Sequence, residues 1–205
     1  MSDAARPLIV AATASEARAV RRALPGVEVV QSGVALAALP FERRPSAGVV
    51  VTVGVAGGLR AGLPTGTVVV PTCVLRPSGA VLACDPDLVE LLAAAARRLG
   101  HEPELGMMAT TPDLVVGPER AAWAARGCAS ADMETGLLDA ERVASVRVVL
   151  DTPDRELHPA WARPITVLWH PAAWPQLPWL AAEAPRCARL AAEVLAEALS
   201  SVGRR

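Results

Sequence analysis

Residues 129–136 read Ala-Ser-Ala-Asp-Met-Glu-Thr-Gly, and the reading of this stretch decides the fold class. A run of small residues ends in Asp132-Met133-Glu134. A second apolar run, Val-Arg-Val-Val-Leu, ends in Asp151. Acids are poor core material, because an unpaired buried carboxylate is costly or shifts its pKa instead. Placed after apolar strands they suit the mouth of a site, since ligands of α/β sheets bind beyond the carboxyl ends of strands. The first expectation is therefore an enzyme.

Working outward, residues 7–12 predict a buried strand and residues 15–24 a helix stopped by Pro25-Gly26. Residues 27–31 predict a second strand. Residues 48–53 are β-branched and run into Gly54-Val-Ala-Gly-Gly-Leu59, which reads as a glycine turn. A strand is expected over 67–70 and a helix over 85–99, with Asp85 as N-cap and Gly100 as its stop. Strand 106–111, helix 118–125, strand 129–133, helix 134–143 and strand 145–150 continue the alternation, and an Ala/Leu-rich helix over 179–200 closes it. The pattern predicts one α/β domain over residues 1–205, with a parallel or mixed sheet between helices.

Composition narrows the function classes. Hydrophobic residues make up 52% of the 205 and charged residues 20%, which is globular rather than disordered. A formal net charge of −1 offers no basic field for nucleic acid. No long apolar run predicts a membrane span and no leader pattern opens the chain, so the cytoplasm is the default location. Cys73, Cys84, Cys128 and Cys187 are widely spaced, and with His101, His158 and His170 equally dispersed they predict reduced thiols and no metal site. Residues 158–179 hold five prolines and Trp161, Trp169, Trp174 and Trp179. Proline prevents a long helix there. The plain reading is a cover packed on the domain; the sharper one is an apolar lid, or a peripheral membrane contact, for a greasy substrate.

The chemistry-bearing residues resemble the purine nucleoside phosphorylase and nucleosidase superfamily. Leu8-Ile-Val-Ala-Ala-Thr-Ala-Ser-Glu16 is similar to its first strand and acid-bearing loop. Gly54-Val-Ala-Gly-Gly-Leu59 with Pro64-Thr-Gly-Thr-Val-Val-Val-Pro71 is similar to its glycine turn and next strand. Asp132-Met-Glu134 resembles its D-M-E signature, and Arg147-Val-Val-Leu-Asp151 its purine-contacting segment. Asp151-Thr-Pro-Asp-Arg155 and His170-Pro-Ala-Ala-Trp-Pro-Gln-Leu-Pro178 resemble the hopanoid-associated adenosylhopane nucleosidase or phosphorylase branch. The resemblance implies a three-layer phosphorylase/hydrolase-like fold with a mixed central sheet, and a homodimer.

It also implies roles. Asp151 would protonate or hydrogen-bond N7 of a leaving adenine, and Glu16 would be the base that activates water. Glu134 would accept the ribose hydroxyls, with Met133 against the sugar face. Gly54, Val55, Ala56 and Gly57 would approach the nucleoside through backbone, while Leu114 and Val115 flank the base. No metal or organic cofactor is implied; phosphate is the alternative co-substrate, with Arg60 as its nearest helper. Methylthioadenosine, adenosylhomocysteine or futalosine cleavage is the second enzyme reading, and a nucleoside-binding remnant without turnover the non-enzyme one.

Read alone, each residue has a plainer account. Glu16 suits a helix first turn, Asp132 a structural acceptor, Asp151 a turn before Thr-Pro, Met133 a core position and Arg60 the surface. The chain also departs from the pattern of the better-known nucleosidases. Val55 and Leu150 stand where serines are common, only 18 residues separate Asp132 from Asp151, and residues 32–47 look trimmed.

Overall fold

The computed structural model describes residues 7–39, 48–162 and 164–202, so the trimmed stretch 32–47 lies partly outside the described residues. In chain order the elements are β1 (Leu8–Ala11), α1 (Ala14–Ala23), β2 (Val29–Gln31), β3 (Val49–Gly58), β4 (Val68–Val69), β5 (Cys73–Leu75) and β6 (Val81–Ala83). They continue with α2 (Pro86–Arg98), β7 (Met107–Thr110), α3 (Pro118–Ala125), β8 (Cys128–Asp132), β9 (Arg142–Asp151) and α4 (Leu177–Val202).

The long strand β3 is the seam of a mixed sheet. Its first part lies between β1 and β9, parallel to both, and its last two residues pair antiparallel with β8. From β8 the sheet runs through β7 and β5 to β6, while β1 continues to β2, and β4 pairs with β9. Helices α1, α2 and α4 bury one common core against this sheet. Val20, Leu92, Ala95, Ala191 and Leu195 join Val51, Val53, Val146 and Val148 there. The helix boundaries follow from local chemistry. Asp85 accepts the Leu88 N–H at 3.0 Å, and Pro86 occupies the first turn of α2.

Two expectations need correction. The glycine cluster is not a turn: Gly54, Gly57 and Gly58 lie inside β3. No helix spans 134–143. One 3-10 turn, Thr135–Leu137, leads almost directly into β9, which begins at Arg142. Asp132 takes the Thr135 N–H at 3.0 Å, and Thr110 Oγ1 takes that of Gly136 at 2.7 Å, which ties this turn to the ends of β7 and β8. Leu138 is then buried beside Val10, Leu36 and Val50. The 18 residues between Asp132 and Asp151 thus hold a 3-10 turn and most of β9. The β5–β6 hairpin is an addition that the sequence pattern did not suggest.

Candidate active site

The register of β3 brings the two opening acids together. Gly57 pairs with Ala131 on one side and Asp151 on the other, after a bulge between Ala56 and Gly57. Asp132 and Asp151 therefore flank the end of one strand. Glycine makes for close packing at this seam, since a Cβ at Gly57 would lie 3.1 Å from Asp151 Oδ1.

Glu16 enters from α1. Thr13 caps that helix, and Glu16 reaches back to the Thr13 N–H at 2.8 Å, forming a capping box. The plain reading of Glu16 as a first-turn acid is thus correct, yet the residue does more. It is buried, lines the cavity described below, and its other oxygen accepts the Val55 N–H at 2.9 Å. A Cβ on Gly54 would overlap this carboxylate. Gly54 therefore does not line the cavity; it makes room for Glu16.

Arg147 was quoted in the sequence without a role, and it gathers the acids of one end of the site. Its guanidinium, 1% exposed, meets Asp132 at 2.6 Å and Glu134 at 3.4 Å. Burial disfavours its charge, but Asp132, Glu134 and Glu16 together hold its pKa above the ordinary value. Asp132 also accepts Thr110 Oγ1 at 2.6 Å and the Thr135 hydroxyl, which fixes it as a structural residue. Glu134 is freer: Ala35 N–H donates to it at 3.0 Å. Burial pushes its carboxyl up to about 7, opposed by Arg147 and assisted by Asp132. A lone arginine in an apolar strand was the available signal, because such a charge must be paired.

On the opposite side Asp151 is buried and bound by Arg120. Burial raises its pKa, and the guanidinium pulls against that rise. Arg120 was missed entirely. It sits on α3 among alanines and charged residues, where sequence does not distinguish it from a surface arginine.

These groups share a cavity of about 420 Å³, lined by Glu16, Val55, Ala56, Gly57, Leu114, Met133, Glu134, Arg147 and Asp151. Val115 lines a small adjoining recess with Gly57, Leu114, Arg120 and Asp151. Leu157, Trp161, Leu180 and Ala184 complete the apolar wall. The Trp/Pro-rich segment forms successive 3-10 turns, as its prolines imply, with Trp161 facing the cavity and Trp169 82% exposed. Arg60 lies outside the cavity and pairs with Glu104 at 2.6 Å. Among the described residues no helix is long and apolar enough to cross a membrane.

The chain belongs to the Phosphorylase superfamily, whose pattern it matches over residues 12–138. Its fold is similar to that of an S-adenosylhomocysteine nucleosidase from Streptococcus pyogenes, solved with 5-methylthiotubericidin (TM-score 0.70, 17% identity, 95% of this chain and 96% of that one). It is also similar to a Helicobacter pylori MTAN variant holding 5′-methylthioadenosine (0.68, 15%, 96% and 98%). The futalosine hydrolase of Helicobacter pylori is a further similar structure (0.67, 14%, 95% and 97%). No curated protein matches the chain by sequence.

Proposed function

We propose that the protein cleaves the N-glycosidic bond of an adenosyl-type purine nucleoside and releases adenine, with water as the nucleophile. The observation that carries this is the convergence of Glu16, Met133, Glu134 and Asp151 on one cavity. Such cleavage needs a neutralised leaving base and a stabilised, oxocarbenium-like sugar. Asp151, its pKa raised by burial, would give or share a proton with the base. Glu134 would hold the ribose hydroxyls, and the acidic surroundings would favour positive charge on the sugar. Glu16 would position and deprotonate water.

The charge balance favours water over phosphate. The cavity's own cation, Arg147, already faces Glu16, Asp132 and Glu134. A phosphate placed beside them would be repelled in a site of low dielectric. The reaction as proposed needs no metal or organic cofactor. The apolar wall of Leu157, Trp161 and Leu180 suits a hydrophobic 5′ substituent, and with the resemblance noted above this favours adenosylhopane in hopanoid lipid synthesis. Methylthioadenosine, adenosylhomocysteine and futalosine are the competing substrates, suggested by the similar folds.

Adenine release from each of these nucleosides, with and without phosphate, tests the proposal. Turnover of adenosylhopane independent of phosphate is the expected result, and Asp151→Asn should reduce turnover at least ~100-fold. Binding of adenine without any turnover would reduce the protein to a nucleoside-binding one.

A further inference from the structure

Arg120 is a buried guanidinium held on three sides. Its Nε donates to Glu156 at 3.0 Å, Nη1 to the Gly58 carbonyl, and Nη2 to Asp151 Oδ2. The residue is 2% exposed. Glu156 also accepts the Gly117 N–H through both oxygens, at 2.8 and 3.0 Å, so one carboxylate fixes both the start of α3 and the plane of the guanidinium. A surface arginine satisfies no such set. Three acceptors around a planar fork leave one orientation.

The consequence falls on Asp151. Its Oδ2 is taken by Arg120, the Leu157 backbone also hydrogen-bonds the carboxylate, and Oδ1 lies close to Gly57, beside the recess bounded by Leu114 and Val115. We propose that Arg120 is a positioning residue of the base subsite, which holds Asp151 by one carboxylate oxygen so that the other alone meets the leaving base. This rests on the reading of Asp151 as the acid. The charged groups around the recess are Arg120, Asp113, Asp132 and Asp151, with Glu156 behind Arg120 and Arg147 four residues down β9. Arg120 is the one cation in contact with Asp151 among the described residues. Its charge favours the carboxylate and Glu156 tempers that charge, so the pair sets the pH above which the acid is spent.

The pH dependence of turnover on an adenosyl nucleoside tests this, measured with the thermal melting of each variant. Arg120→Met should move the basic limb up by about one pH unit and lower turnover at neutral pH about tenfold, since the acid stays protonated longer but is no longer held. Arg120→Lys keeps the charge and should return the limb towards its original position without restoring full turnover. Glu156→Gln should move the limb down by a smaller amount, because it removes the charge that tempers Arg120. Opposite shifts from Arg120→Met and Glu156→Gln are the result that a merely structural contact would not give. Unmoved limbs in all variants, with losses that follow melting temperature, would overturn the inference. If Arg120→Met does not fold, Arg120→Lys and Glu156→Gln still decide it. If Asp151→Asn is itself fully active, the acid assignment fails first; if it is inactive and the limbs stay put, only the role of Arg120 fails.

Discussion

The two ends of the cavity use the same chemical pair in opposite proportions. At one end one guanidinium, Arg147, faces three carboxylates: Glu16, Asp132 and Glu134. At the other end one guanidinium, Arg120, contacts a single cavity acid, Asp151, and its second partner, Glu156, is one-third exposed. The first arrangement sets three acids around one cation, where the proposed reaction would form a cationic sugar. The second matches one cavity acid with one guanidinium, so Asp151 has a cation of its own. A shared guanidinium thus lets acids be buried at either end, and the ratio of partners decides what each end favours.

The largest effect should come from breaking the crowded side. Arg147→Met leaves three carboxylates without their cation, and the stability loss should be about 3–5 kcal/mol, the scale of a broken buried ion pair. Chemical denaturation measures this. A loss no greater than that of Arg120→Met would mean that the two clusters are equivalent, contrary to the charge count.

A smaller effect is expected at Gly54. An added methyl group there meets the Glu16 carboxylate, and overpacking of this kind costs about 1–3 kcal/mol. Gly54→Ala should displace Glu16 from the Val55 N–H and reduce turnover more than it reduces stability. Melting and steady-state rates on one preparation separate the two. Unchanged rates would remove Glu16 from the proposed chemistry.

A pH-dependent effect is expected at Glu134. Its carboxyl rises from 4.5 unpaired to about 7 in the folded protein, so the folded state binds this proton more tightly than the unfolded chain. The stability tied to that proton is complete below the unfolded value and is lost as pH rises through the folded one. Glu134→Gln should therefore melt above the parent at about pH 8 and level with it at about pH 4. Equal melting at both values would mean that Arg147 fully offsets burial at Glu134.

Most of the strands and the helices α1, α2, α3 and α4 were legible in the sequence, because hydrophobic period and caps are local signals. The helix expected over 134–143 was not legible as a turn. Its apolar period is real, but Leu138 is buried against Val10, Leu36 and Val50, and the chain extends from that turn into β9. The glycine turn failed for a related reason: pairing with β8 and β9 extends β3 through its own glycines. Of the residues expected at the site, Glu16, Met133, Glu134 and Asp151 line one cavity, Val115 lines the adjoining recess, and Gly54 lies beside Glu16 outside that lining.

By itself the sequence determined the α/β alternation, the acids at strand ends and the superfamily pattern around Asp132-Met-Glu134. These rest on residues close in the chain. Only the tertiary structure decided how the acids are divided. It set Arg147 beneath three of them and Arg120 upon the fourth, because the pairing of a buried charge depends on which strands and helices meet, and a residue's own neighbours in sequence do not specify that.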